Sequence, residues 1–280
     1  MNEELVGGPK PKPPTRYQVE KLRLILSTYQ DGTGMLATDN GMTLPGWRDF
    51  ERAVAAAFGG TAQESKYVFD VLVPVTDKPR VMYGVSCKMR GELDRVTGRD
   101  GRITIELSNS AKQFWGYLGT KGIREDNYRS RPTEVGIGLI ELVESWHERD
   151  SISSGGIIDL NMSSYLVLSW NKKGLYQLHQ FPLTLPQPKS LMWYFPNKKE
   201  KGVEVPAQRL CGEDSSGVVF EWYGLSGGQL KYYPLAKDAT WVSEPFRLES
   251  LPSSENMKYG VLAKAALYFP EQWQTSKELE

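Results

Sequence analysis

The chain has 280 residues, of which 40% are hydrophobic and 24% are charged, which excludes a wholly disordered protein and provides for a sizeable core. Its two cysteines exclude a disulfide framework and favour a reducing, cytoplasmic location. The net charge is zero, but residues 78–131 hold twelve Lys or Arg against six Asp or Glu, typical either of a phosphate-binding surface or of an ordinary solvated one. No signal peptide is expected, and no apolar run approaches the roughly 18 residues that cross a membrane.

The predicted elements begin after a proline- and glycine-rich arm, residues 1–15, which has no hydrophobic periodicity and is expected to be flexible. Apolar residues at helical spacing predict helices over 17–29 and 45–58. Two runs rich in β-forming residues, 67–75 and 81–89, are joined by turn residues and predict an antiparallel hairpin.

Strands and helices alternate in the next part of the chain, where we predict a strand over 102–107, a short helix opening at Ser110, a helix over 134–148, and a hairpin of 165–170 with 175–181. The order helix, three strands, helix and strand over 45–181 implies an α/β fold with a mixed (α+β) sheet flanked by helices. Short strands, prolines and aromatic residues mark 182–280 as a β-rich extension packed on a core that spans 16–181.

Glu51 occupies an unusual place in the helix over 45–58. The apolar stripe of that helix consists of Trp47, Phe50, Val54 and Phe58. Glu51 lies four residues after Trp47 and therefore falls on the same stripe. A carboxylate facing a core is costly unless it is paired or bound to a metal, so Glu51 is a candidate site residue. The alternative is a place at the edge of the stripe, where Glu51 reaches Arg48 or solvent.

Asp70 interrupts an otherwise apolar strand, and the following strand carries Ser86 and Lys88 on one face. A turn centred on residue 78 places Asp70 opposite Ser86 and Val68 opposite Lys88, so that Asp70, Ser86 and Lys88 converge. A slip of one residue would remove this convergence. The alternatives are an aspartate that anchors a loop through backbone N–H groups and a lysine that extends to water.

The strings WRDFE (47–51), FDV (69–71) and SCK (86–88) together resemble the PD-(D/E)xK nuclease superfamily, and within it the type II restriction endonucleases. The resemblance covers about residues 45–181 and implies a core of helix, three strands, helix and strand. It implies Mg²⁺-dependent hydrolysis of phosphodiester bonds at a specific site in double-stranded DNA. The sequence departs from the pattern in having Phe69 before Asp70 and Ser86 in place of the second acidic residue.

The resemblance also implies roles for individual residues. Asp70 and the backbone carbonyl of Cys87 would bind Mg²⁺, with Glu51 or Glu106 supplying the second carboxylate in place of Ser86. Lys88 would place its charge beside the attacking water and the phosphate. The residues expected to contact DNA are Arg90, Lys112, Arg129 and Arg131.

A double-strand cut predicts a homodimer, with the segment 183–241 as a suggested interface. Its possible anchors are the aromatic residues Trp193, Tyr194, Trp222, Tyr232 and Tyr233, which could equally fill a core. Two alternative functions remain open at this point: a DNA repair or recombination nuclease with the same chemistry, and a non-catalytic module that binds nucleic acid or protein. Two cysteines and two histidines at these spacings supply no structural zinc site.

Overall fold

The computed structural model describes residues 10–38, 41–63, 68–98, 101–200, 203–251 and 270–272. Its principal α-helices are α1 (Arg16–Ser27), α2 (Trp47–Phe58), α3 (Leu93–Gly98), α4 (Ala111–Thr120) and α5 (Pro132–Arg149). Its strands are β1 (Leu36–Ala37), β2 (Thr43–Leu44), β3 (Thr61–Ala62), β4 (Val71–Val75), β5 (Lys78–Arg90), β6 (Ile105–Ser108), β7 (Ser164–Trp170), β8 (Tyr176–Pro182), β9 (Met192–Tyr194), β10 (Asn197–Glu200), β11 (Val203–Pro206), β12 (Leu210–Asp214), β13 (Gly217–Tyr223), β14 (Gln229–Tyr232) and β15 (Trp241–Val242). The predicted α+β fold class is confirmed.

The first sheet has six strands in the order β15-β8-β7-β5-β4-β3. Its neighbouring strands are antiparallel except β5 and β7, which run parallel. A parallel pair needs a long crossover connection, and the chain between β5 and β7 supplies it with α4 and α5. The sheet is therefore mixed and flanked by helices, as the element order predicts.

Helices cover both faces of the first sheet. On one face, Leu26 of α1 and Phe50 of α2 belong to a buried cluster with residues of β4, β5, β7 and β8 that include Val71, Val85 and Leu166. On the other face, α4 and α5 contribute to a larger cluster that includes Phe114, Leu139, Val143, Val167 and Phe181. Burial on both faces explains the nearly continuous apolar sequence of β7.

The second sheet has five strands in the order β6-β14-β13-β12-β9, all antiparallel. It packs on α5, where a Cβ added at Gly136 would lie 2.1 Å from the Trp193 ring. Glycine is therefore needed at this crossing, because it lets the helix backbone approach the indole. Two shorter hairpins, β1 with β2 and β10 with β11, lie outside the two sheets.

Two expectations from the sequence are wrong. The strand predicted over 102–107 is β6, which belongs to the second sheet, because alternation identifies a strand but not its partner. Trp47, predicted to lie on the apolar stripe of α2, is 52% exposed. Of the aromatic residues for which an interface and a core were both open, Trp193 and Trp222 are buried in the core.

Parts of the predicted segments lie outside the described residues, namely 1–9 of the arm, residue 67 of the first hairpin strand, and 201–202, 252–269 and 273–280 of the extension. The sheets also exchange strands across the boundary predicted at residue 182. Strand β6 joins the second sheet, whereas β15 pairs with β8 in the first. Within the described residues, no helix combines the length and apolarity that a membrane crossing requires.

Candidate active site

Asp70 lies immediately before β4, and a close packing contact holds it there. The strand predicted over 67–75 begins at Val71, and the Asp70 carbonyl accepts a hydrogen bond from the Gln63 N–H just beyond β3. The preceding residue, Phe69, packs over Gly84 of β5, where an added Cβ would lie 2.2 Å from the phenyl ring. Only a residue without a side chain fits at Gly84, and the Phe69 ring fixes the point at which the chain enters β4.

The register of the hairpin beside Asp70 is the predicted one, but the turn is not. The turn lies at residues 76–77 instead of being centred on residue 78, and a register shift after Pro74 restores the predicted pairing of Val71 with Val85, so Asp70 stands opposite Ser86. The Asp70 Oδ2 accepts hydrogen bonds from the Cys87 backbone N–H at 2.7 Å and from the Ser86 hydroxyl at 3.3 Å. The carboxylate thus accepts the N–H that a continued β4 would otherwise bond through its own backbone.

Lys88 completes the cluster with its ammonium group. Its Nζ donates to Asp70 Oδ2 at 3.2 Å, to Ser86 Oγ at 2.9 Å and to the Cys87 carbonyl oxygen at 3.1 Å. A positive charge therefore lies among three oxygens from β4 and β5. Asp70 does accept a backbone N–H, as in the alternative interpretation, but the donor lies on the neighbouring strand β5 and not in a loop, and Lys88 turns inward with a side chain only 19% exposed.

A cavity of about 390 Å³ opens beside this cluster and is called the main cavity here. Its lining includes Trp47, Glu51, Lys88, Arg90, Glu106 and Asn109. Both carboxylates proposed from the sequence therefore reach the same space as Lys88. The exposed Trp47 side chain lines this cavity. Helical spacing placed Trp47 on the core-facing stripe of α2 and therefore did not predict this position.

The two carboxylates differ in their partners. Glu51 is buried and lies 3.6 Å from the Arg48 guanidinium, so the predicted alternative contact with Arg48 exists alongside the cavity. Glu106 Oε2 accepts from Arg90 at 2.9 Å and from the Gln229 amide at 2.6 Å. Glu106, on β6 of the second sheet, is thus hydrogen-bonded both to Arg90 of β5 in the first sheet and to Gln229 of β14 in the second, whereas Glu51 sits on a helix packed against the first sheet.

Burial and the charges around the site shift the pKa of the Cys87 thiol. Burial raises its pKa well above the usual value, the negative charges of Asp70 and Glu51 raise it further, and Lys88 lowers it. The thiol is protonated at neutral pH and is not a nucleophile. The main-chain carbonyl of Cys87, by contrast, faces Lys88.

A second cavity, of about 350 Å³, lies on the other side of Ser86 and is called the side cavity here. Its lining includes Ser86, Asn109, Gln113, Trp146, His147 and Tyr165. Asn109 lines both cavities, so they are neighbouring parts of one cleft.

Sequence reasoning missed His147, Tyr165 and Asn109. One signal was available for His147, which follows the buried Val143 by one helical turn and therefore lies on the inward stripe of α5. Burial, together with the positive charge of Lys88, lowers the pKa of His147 to about 4. The imidazole is therefore neutral at physiological pH. No pattern in the sequence pointed to Tyr165 or Asn109.

The residues expected to contact DNA are not all near the site. Arg90 lines the main cavity, and Lys112 is exposed on the first turn of α4, next to the side-cavity residue Gln113. Arg131 caps the start of α5 and pairs with Glu134, and Arg129 stacks near Tyr128. Because His147 lies at the other end of α5, Arg131 is about 24 Å away along the helix axis.

Comparison with protein-family models, with curated proteins and with solved structures found no match. Within the described part of the chain, no three His, Cys, Asp or Glu side chains form a group that could hold a metal ion. The oxygen cluster at β4 and β5 contains one carboxylate, one hydroxyl and one backbone carbonyl, with further carboxylates across the main cavity.

Proposed function

We propose that this protein is a Mg²⁺-dependent endonuclease that hydrolyses phosphodiester bonds of double-stranded DNA. The observation that carries the proposal is the convergence of Asp70, Ser86, the Cys87 carbonyl and Lys88 at the start of β4, beside a cavity lined by Glu51 and Glu106. Residues of the three strings that resemble PD-(D/E)xK nucleases lie at or beside one cleft, although they are separated by up to 41 positions in the chain.

The donor set suits a hard cation. Asp70 Oδ1 accepts no hydrogen bond from any residue that the structure describes, and its Oδ2 and the Cys87 carbonyl already face a positive charge, the Lys88 ammonium. Carboxylate and carbonyl oxygens are the ligands that Mg²⁺ prefers, and Mg²⁺ commonly uses one or two carboxylates with several waters. Asp70, the Cys87 carbonyl and one glutamate would hold the ion. Such a set needs no group of three acidic side chains.

Glu51 is the glutamate that we favour. Glu106 is tied to Arg90 and Gln229, and freeing it would leave the Arg90 guanidinium without its carboxylate. Glu51 is part of α2, which packs on β4 and β5, so its position is fixed relative to Asp70. We therefore assign Glu106 to the orientation of Arg90.

The remaining chemistry comes from side chains of the cluster. When bound, Mg²⁺ supplies charge neutralisation at the scissile phosphate and lowers the pKa of a bound water. Lys88 holds a positive charge where negative charge develops on the phosphate oxygens, which is the largest electrostatic contribution expected from the protein. Ser86 positions the Lys88 ammonium through its hydroxyl, and Arg90, oriented by Glu106, contacts the DNA backbone.

The order of elements around the first sheet also supports the proposal. Helix α2 is followed by the antiparallel strands β3, β4 and β5, then by α4 and α5, and then by β7 parallel to β5. This is the order helix, three strands, helix and strand that the resemblance implies, with β3 taking the place that the sequence assigned to residues 102–107.

The proposal is tested by incubating the purified chain with supercoiled plasmid and MgCl₂, with EDTA as the parallel condition. We expect linear or nicked products with Mg²⁺ only, and none from Asp70→Asn. The matched control is Asp159→Asn, which should cleave normally. Asp159 lies in the connection between α5 and β7, outside the cleft. Absence of cleavage by the wild-type chain on several plasmids, or full cleavage by Asp70→Asn, would contradict the proposal.

Sequencing the product ends separates the two biological roles. We propose a type II restriction endonuclease, for which all ends map to one short sequence. Ends scattered over many sequences, or confined to damaged or branched DNA, would instead identify a repair or recombination nuclease. A homodimer is the simplest assembly for a symmetric cut, and light scattering with and without a duplex tests it.

A further inference from the structure

The hydroxyl of Tyr165 is an unexplained feature of the side cavity. Tyr165 is only 2% exposed, and its hydroxyl has no hydrogen-bond partner among the described residues. A buried hydroxyl without a partner costs stability, and such groups in native proteins commonly await a ligand or water. Because the tyrosine lines the side cavity, a ligand there could supply the missing partner.

His147 adds a second polar group without a partner. Its ring is 8% exposed, stacks on Phe69 at 5.5 Å between centroids and meets Tyr165 edge-on at 6.2 Å. No residue that the structure describes donates to or accepts from its nitrogens. A neutral imidazole offers one donor and one acceptor, and His147, like Tyr165, lines the side cavity.

The rest of the cavity complements these two residues. The Trp146 ring is part of the wall, and the side-chain amides of Asn109 and Gln113 stand at the exposed rim. Ser86, which is hydrogen-bonded to Asp70 and Lys88, forms the wall shared with the candidate active site. A ligand in the cavity therefore lies one side chain away from the proposed position of the scissile phosphate.

We propose that the side cavity binds one unpaired nucleobase of the DNA strand whose phosphate lies at Asp70 and Lys88. This inference rests on the proposed function and specifies its substrate as DNA with a base outside the helical stack. Aromatic rings recognise the flat faces of a base, and Asn and Gln amides form paired hydrogen bonds with base edges. A volume of about 350 Å³ is at the lower end of the range for small-molecule sites, which suits a single base.

The test compares three fluorescently labelled duplexes in EDTA, where no cleavage occurs: a fully paired duplex, the same duplex with one extra unpaired nucleotide, and the same bulge with an abasic nucleotide. We expect the bulged duplex to bind about tenfold more tightly than the paired one. The abasic bulge should bind like the paired duplex, because it has the same backbone flexibility and lacks the base. Equal affinity for the bulged and abasic duplexes would overturn the proposal.

Two variants connect the preference to the side cavity. Tyr165→Phe removes only the hydroxyl and should reduce the preference for the bulge about fivefold, while its Tm stays equal or rises. Gln113→Ala, at the exposed rim, should also reduce the preference for the bulged duplex and should not affect folding. Tyr176→Phe is the matched control, a buried tyrosine outside the side cavity, and should keep the full preference. A full preference in both Tyr165→Phe and Gln113→Ala would overturn the proposal.

These results can be separated from those for the proposed function. Plasmid cleavage by a protein without any preference for the bulge would reject the base site alone. A preference that depends on Tyr165, in a protein that cleaves no DNA with Mg²⁺, would reject the nuclease and retain a nucleobase-binding cavity.

Discussion

Asp70 in the first sheet and Glu221 in the second sheet both accept several hydrogen bonds, but they use their oxygens differently. Glu221 Oε2 accepts from the hydroxyls of Tyr223 at 2.9 Å and Tyr233 at 2.7 Å, and its Oε1 lies 3.2 Å from the Arg209 guanidinium. Both oxygens therefore have partners supplied by the same sheet. We interpret this cluster as a structural one that ties β13 to its neighbours.

Asp70 receives all its hydrogen bonds on Oδ2, from Ser86, Cys87 and Lys88. Its other oxygen is not used by the described residues, and its side chain is 28% exposed, against 12% for Glu221. The comparison teaches that the number of hydrogen bonds does not identify a functional carboxylate. The distribution of those bonds between the two oxygens, together with access to a cavity, is more informative.

The largest effect is expected from changing each carboxylate to its amide. Asp70→Asn should lower the cleavage rate about a thousandfold, because the ligand charge is lost, and should change the free energy of unfolding by less than about 1 kcal/mol. Glu221→Gln should show the reverse: its free energy of unfolding should fall by about 1–3 kcal/mol, and its cleavage rate should stay near normal. Urea unfolding and plasmid cleavage measure the two effects, and comparable loss of stability in both variants would remove the distinction.

Lys88→Ala should lower the cleavage rate by about a hundredfold and leave DNA affinity nearly unchanged, because its charge acts mainly in the transition state. Single-turnover kinetics and equilibrium binding separate the two quantities. Lys231→Ala, which removes the ammonium beside the Tyr223 ring in the second sheet, is the matched control and should leave the rate unchanged. A large loss of affinity with normal turnover would reassign Lys88 to phosphate anchoring.

Gly84→Ala tests how Asp70 is positioned. The new methyl group would overlap the Phe69 ring, so the chain before β4 must shift, at a cost of about 1–3 kcal/mol. A displacement of that size at Asp70 should reduce cleavage by about a hundredfold. Gly136→Ala produces a similar overlap with Trp193 in the second sheet and should destabilise the protein with a smaller effect on rate. Equal rate losses would show that the two glycines act through stability alone.

The assignment of the second carboxylate predicts a smaller effect. Glu51→Gln should raise the Mg²⁺ concentration needed for half-maximal cleavage about tenfold or more. Glu106→Gln should mainly weaken DNA binding through Arg90. Ser86→Ala should change the rate by less than about threefold, because its hydroxyl only positions Lys88. A greater Mg²⁺ requirement in Glu106→Gln than in Glu51→Gln would reverse the assignment.

The smallest expected effect concerns pH. Burial lowers the pKa of both His147 and His179 to about 4, from an ordinary value of 6.5. A group whose pKa is lowered in the folded state contributes stability that is complete above pH 6.5 and is lost as the pH falls toward 4, since the unfolded chain takes up protons first. Urea unfolding at pH 8, 6 and 5 should show this decline, and His147→Gln should make it shallower. If the stability of His147→Gln declines with falling pH as steeply as that of the wild type, the prediction is contradicted.

The sequence predicted the cluster on β4 and β5 because a hairpin with a short turn has few possible registers, and only one places Asp70, Ser86 and Lys88 together. It predicted the helices because their apolar stripes repeat with the helical period. It could not assign β6 to a sheet, since the pairing partner, β14, lies more than 120 residues away. Tyr165 was missed because a tyrosine in an apolar strand is an ordinary core residue until the cavity beside it is known.

Strand β6 has a consequence for how the cleft assembles during synthesis. Asp70, Ser86 and Lys88 can meet once the hairpin of β4 and β5 has formed, which requires only local pairing. Glu106, on β6, meets its partner Gln229 only after β14 has emerged from the ribosome. We therefore expect a nascent chain to assemble the cluster of Asp70, Ser86 and Lys88 early and to complete the walls of the cleft late, so that the proposed DNA hydrolysis would begin only when the second sheet has closed.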